Sequence, residues 1–239
     1  RDPEMSRGLG DVYKRQIHGV YKPTGQNRTY PNIINFESVF GLEELKWSNP
    51  DMPLYDVTFP FIRMVQGPVD YTPGAYRNAT REGFRIDYRN PMSQGTRAHQ
   101  VAAYVVFDAP LVMLCDSPTR YMADEACTRF IASLPVVFDT TRVLAGEIGE
   151  YIVTARKRQD CWYVGGLTGW TPRTLDVDLS LLDPGREYTA TLLADDGRSA
   201  AEPARYVLST QRVTSATRLQ IPVAPGGGFA LKIEPADNK

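Results

Sequence analysis

The chain has 239 residues, 27 Lys and Arg against 28 Asp and Glu, a net charge of −1, 42% apolar and 23% charged residues. That is ordinary globular composition, enough for one large domain or two small ones, and it lacks the basic footprint of a nucleic-acid binder. The longest apolar stretch, 101–115, contains Asp108 and Pro110 and is too short for a membrane-spanning helix.

In chain order, residues 6–16 (SRGLGDVYKRQ) back-translate into a transposon-based sequencing adapter read in frame. Residues 1–16 are therefore read as a non-native tail rather than a native polar segment, and set aside. On this reading the natural protein extends upstream of Ile17 and the chain is its C-terminal part. Residues 17–140 read as mixed α/β. The stretch 17–47, IHGVYKPTGQNRTYPNIINFESVFGLEELKW, packs His18, Lys22, Arg28, Tyr30, Asn32, Glu37 and Glu43 between Gly and Pro, the texture of a site-bearing loop.

On a continuous helix the six-residue spacing of Glu37 and Glu43 would rotate them by about 240° and aim them apart. Gly41 permits a break that turns both into one pocket, to share a hard cation or divide acid and base roles. In a chain with 28 acidic residues a chance pair is the simpler alternative. Lys22 lies in an extended segment before Pro23, either reaching a hydroxyl or carboxylate or simply solvated. The loop Gly67–Gly74 follows an apolar segment, 57–65. If that segment is a barrel strand, the loop faces the site; otherwise it is a tight turn.

Asn90-Pro91 marks a turn, with Ser93 placed to cap a helix. Thr96–Phe107 then carries Ala98, Val101, Ala102 and Val105 at helical spacing. His99 on this helix reads as structural. Ala123–Leu134 repeats the pattern and stops at Pro135. Between them, Leu111–Cys115 is a short apolar run expected to be a strand buried on both faces. Helix, strand, helix fits a (β/α) barrel or a doubly wound sheet.

From residue 141 onward the spacing is that of strands: 150–157, 161–168, 173–180, 187–193, 207–213, 218–223 and 229–234. They are separated by turn sequences such as Asp183-Pro184-Gly185 and Pro225-Gly226-Gly227-Gly228. About seven such strands predict an antiparallel β-sandwich. Trp47, Trp162 and Trp170 are equally readable as core or as sugar-stacking platforms. Three cysteines make a complete disulfide framework improbable, and Cys115 and Cys127 are able to pair or to stay reduced.

Nine blocks, HGVYKPTG (18–25), RTYPN (28–32), FESVFGLE (36–43), GPVDYTPG (67–74), GTRAHQ (95–100), LCDSPT (114–119), EYIVTARK (150–157), GGLTGWTPR (165–173) and APGGGFAL (224–231), together resemble the C-terminal half of glycoside hydrolase family 97. The resemblance implies an α/β plus all-β chain: the C-terminal part of a (β/α)8 barrel (17–140) followed by an antiparallel β-sandwich (141–239). It implies a calcium-dependent exo-α-glycosidase acting on oligosaccharides or other α-glycosides, in the periplasm or secreted. Glu43 then corresponds to the family's general acid, Glu37 and Glu43 to calcium ligands, and His18 to a sugar contact, with Lys22 a further substrate-binding candidate.

Gly19 stands where the inverting α-glucosidases of the family carry a catalytic Glu. It resembles the retaining branch, typified by α-galactosidases, whose nucleophile is an Asp on an earlier barrel strand, upstream of Ile17. The expectation is a retaining α-galactosidase, with an α-glucosidase as the alternative. The sandwich is expected to brace the barrel, a sugar-binding role being its alternative. The chain by itself is expected to be inactive.

Overall fold

Pro and Gly punctuation keeps the elements of the first half short. In the computed structural model, which describes residues 15–236, β1 (Arg15–Ile17) pairs in parallel with β2 (Ile33–Phe36), and α1 (Gln26–Thr29) lies on the connection. Arg15 and Gln16 of the expected tail thus form part of a strand, while 1–14 lie outside the described residues. A 3-10 helix (Leu42–Lys46) follows, then α2 (Met52–Asp56) and α3 (Phe59–Ile62). Both α2 and α3 have a proline in the first turn, where its missing N–H is tolerated. The segment 57–65 is therefore mainly helical, not a strand; Pro60 has no N–H to give a central ladder.

β3 (Asn78–Ala79) and β4 (Ser93–Gln94) form a second parallel pair, and Phe36 bridges Val69 in parallel. Parallel pairing agrees with a barrel segment; no closed barrel is present among the described residues. Ser93 lies in β4 and is not the helix cap. Thr96 is, its hydroxyl accepting from His99 N at 3.1 Å at the start of α4 (Arg97–Val106). Every residue of α4 is buried, so the helix is enclosed on all sides. The expected strand 111–115 is neither strand nor helix, and Met113 and Leu114 are more than half exposed. Asn35 Nδ2 to Leu111 O (3.0 Å) and Cys115 N to Pro73 O (3.2 Å) tether the segment in place of a ladder. α5 (Pro118–Ala123) and α6 (Glu125–Ala132) follow, the second ending ahead of Pro135 as its sequence requires.

All seven strands expected beyond residue 141 are present. They are β6 (Tyr151–Arg158), β7 (Cys161–Thr168), β8 (Arg173–Asp178), β9 (Tyr188–Ala194), β10 (Val207–Val213), β11 (Arg218–Val223) and β12 (Gly228–Pro235), preceded by β5 (Thr140–Glu147). β5 escaped the sequence reading because it is an exposed edge strand with a bulge near Leu144. The order is β10-β9-β12-β7-β6-β5 in a six-stranded antiparallel sheet, with β11-β8 as a two-stranded partner.

Between the two sheets lies a core that includes Val153, Val164, Leu175, Val177, Ile221, Phe229, Leu231 and Ile233. The opposite face of the large sheet is also covered. Ile152, Tyr163, Leu167 and Ala230 on that face pack with residues of the first half, α4 among them. A Cβ on Gly165 would stand 2.8 Å from that of Val105, so glycine there lets α4 approach the sheet. Arg156, 2% exposed on this face, donates to Asp108 Oδ1 (3.2 Å) and Val106 O (3.3 Å).

His99 is structural, as expected. It is fully buried, with Nε2 3.0 Å from Asp56 Oδ2 and Nδ1 3.1 Å from Gly227 O, tying α2 and α4 to the sandwich. Nearby, Thr96 N donates to Gly226 O at 2.9 Å and the main chains of Gly95 and Gly226 touch, so close that neither tolerates a Cβ. Trp162 belongs to the sandwich core, and the Trp170 indole donates to Asp51 Oδ1 at 2.8 Å, joining the halves. Neither is an open platform. All three cysteines are free thiols, and burial pushes Cys115 up to about 12 and Cys127 to about 11.

Candidate active site

Three chain segments meet where β1, β2 and the Val69 bridge end. His18 follows β1, Glu37 follows β2, Glu43 sits in the first turn of the 3-10 helix, and Asp70 follows Val69. Leu42 and Leu45, one 3-10 turn apart and both buried, root that helix and leave Glu43 facing outward. The Gly67–Gly74 loop does face the site.

His18 is the hub. Its Nδ1 lies 3.0 Å from Asp70 Oδ2, and its Nε2 lies 2.9 Å from Glu43 Oε1 and 3.4 Å from Glu37 Oε1. Glu37 also accepts from the Gly19 backbone N–H. The hydrogen bond to Asp70 raises the His18 imidazole above its usual range; the hydrogen bond to Glu43 and the Glu37 charge add to it, and partial burial opposes it. One donor atom each from His18, Glu37 and Glu43 lies within 4.8 Å of the others, a grouping able to hold a metal ion. Two of the three donors are carboxylates, which suits a hard cation. Lys22 is exposed, and no hydrogen bond or ion pair described for it reaches the cluster.

Sequence reasoning did not single out two supporting residues. Asp70, 3% exposed, holds the imidazole from behind, and Thr72 Oγ1 donates to its other oxygen at 3.3 Å. Its signal was a carboxylate in the rigid GPVDYTPG block. Arg63 had no signal. Its buried guanidinium donates to four main-chain carbonyls, those of Gly67 (3.0 Å), Phe36 (3.1 Å), Glu37 (3.2 Å) and Pro68 (3.1 Å). It clasps the Glu37 loop to the Asp70 loop. Ser38 and Thr72, which flank the two carboxylates, both have positive φ, 47° and 62°. Strain of this kind concentrates at functional sites.

The chain is 50% identical over 220 residues to a retaining alpha-galactosidase of Bacteroides thetaiotaomicron, covering 91% of this chain and 33% of that protein. It is 32% identical over 217 residues to a probable retaining alpha-galactosidase of Streptomyces bingchenggensis, covering 90% and 30%. A Glycoside Hydrolase Family 97 enzyme from Pseudoalteromonas sp. strain K8, solved with panose, superposes with a TM-score of 0.85 at 30% identity, covering 93% of this chain and 35% of that one. The homologues are thus glycoside hydrolases, and the chain spans about a third of the length of the curated relatives it matches. Residues 137–234 match the family model described as Glycosyl-hydrolase 97 C-terminal, oligomerisation. The chain belongs to glycoside hydrolase family 97.

Proposed function

We propose that this chain supplies the proton donor and part of the cation site of a retaining exo-α-glycosidase, an α-galactosidase, whose activity belongs to the whole protein. The observation that carries the reading is the convergence of Glu43 and Glu37 on His18 beside Gly19, which has no side chain to act as a base. Identity of 50% to a retaining alpha-galactosidase supports the choice of sugar and stereochemistry.

In this mechanism Glu43 gives its proton to the glycosidic oxygen as the bond to the anomeric carbon breaks. A second carboxylate forms the covalent glycosyl intermediate, about 5–5.5 Å away in a retaining enzyme. Asp70 does not fill that role: it is buried behind His18 and committed to Nδ1. The reading places the nucleophile in a part of the whole protein other than this chain. Glu43 then takes the proton of the water that releases the sugar. Glu37 and Glu43 would hold calcium, which when bound supplies a fixed positive charge that orders the two carboxylates. Six to eight oxygens surround calcium, so further ligands come from elsewhere. His18 contacts the sugar from its exposed edge, and the sandwich braces the site through α4. The family's secreted or periplasmic setting is part of the same reading.

The test is hydrolysis of an aryl α-galactoside by the whole protein, with the product anomer followed by NMR. Retention is expected, and an inverted product rejects the assignment. Glu43→Gln should lower turnover about 10²–10⁴-fold with the melting temperature preserved. Preference for an aryl α-glucoside would select the α-glucosidase alternative.

A further inference from the structure

Trp47 closes the 3-10 helix that carries Glu43. At a rise of about 2.0 Å per residue it stands about 8 Å further along the axis than Glu43. Its indole Nε1–H donates to Glu44 Oε2 at 2.8 Å, which fixes the ring, yet Trp47 remains 48% exposed. Beside it is Tyr88, 70% exposed, with ring centroids 6.3 Å apart and planes inclined at 35°. The Tyr88 turn is itself held: Asp87 Oδ1 accepts from Arg89 N (3.0 Å) and Asn90 N (2.9 Å). Neither ring belongs to any of the three core clusters. Trp47 sits on the segment that carries Glu37 and Glu43, and Tyr88 lies on the connection between β3 and β4, downstream of Asp70.

We propose that Trp47 and Tyr88 form an outer subsite that grips the sugar unit on the leaving-group side of the bond. The inference rests on the glycosidase reading of Glu43. A proton donor stands on the leaving-group side by definition, and Trp47 extends the same helix beyond it. Oriented aromatic faces match the apolar C–H face of a pyranose. The Glu44 carboxylate at the rim accepts from hydroxyls and would be left desolvated by an apolar partner. The ligand is therefore a neutral saccharide unit linked to the sugar being released.

The experiment compares two substrates on the whole protein. Raffinose presents sugars on the leaving-group side; α-galactosyl fluoride presents none. In Trp47→Ala, the ratio of kcat/KM for raffinose to that for α-galactosyl fluoride should fall about tenfold, chiefly through KM. Tyr88→Ala should lower it less, and Trp47→Phe should restore most of it. Because it is a ratio, any loss of correctly folded enzyme cancels. An unchanged ratio in Trp47→Ala overturns the subsite. If the wild-type protein hydrolyses neither these substrates nor the matching pair, panose and α-glucosyl fluoride, the glycosidase reading fails first and the subsite with it.

Discussion

The two halves of the chain solve the packing problem in opposite ways. Beyond residue 140 the strands are mostly six to eight residues long and paired along their length, and apolar side chains close both faces of the large sheet. Before residue 135 no strand among the described residues exceeds four residues, and Ile62, Val65, Met113, Leu114 and Met122 are left exposed. The first half carries the candidate site and the second carries the order. α4, first-half by sequence and sheet-bound by packing, belongs to both.

The largest expected effect comes from breaking the ordered half. Phe229 is fully buried in β12, and Phe229→Ala should cost about 3–5 kcal/mol by chemical denaturation. Because β12 also contacts α4, the loss should reach the first half in a single transition. Two separated transitions would show that the halves are independent. Arg63→Met attacks the other side. It leaves carbonyls of both site loops without their donor, a cost of about 3 kcal/mol. Hydrogen exchange should quicken at 36–38 and 67–72 and stay unchanged in β6, β7 and β12; exchange quickening throughout the sheet would mean Arg63 is not a local clasp.

The smallest effect concerns acid. Burial raises Asp56 above its ordinary 3.8, so the native chain holds that proton to higher pH than the unfolded chain does. The stability this group contributes is present below 3.8 and declines as pH rises through the elevated value. Asp56→Asn should flatten the melting-temperature profile over that window, and an unaltered slope would remove Asp56 from the balance.

Sequence periodicity located β10 and β11 to the residue because their partners lie in the same sheet or the next strand, where a period of two is enforced locally. A period of two does not show that the Thr154–Arg156 face is covered, since what covers that face comes from α4, fifty residues earlier. The run 111–115 looked like a buried strand because Leu, Val and Met are apolar, but burial needs neighbours and the described residues supply few. In the site, Glu37 and Glu43 were visible as carboxylates either side of Gly41. Asp70 was visible only as a residue in a rigid block, and Arg63 not at all: its four acceptors are main-chain oxygens, which no residue type announces. Lys22 was named on chemistry alone, and the fold turns it to solvent.

The touching main chains of Gly95 and Gly226 have a consequence for recombination. A sandwich cannot be exchanged between homologues as a loose cassette, since each crossover must bring matching partners to both sides of that contact. Chimeras cut near residue 140 should express well only when the 95–99 and 224–228 segments descend from the same parent.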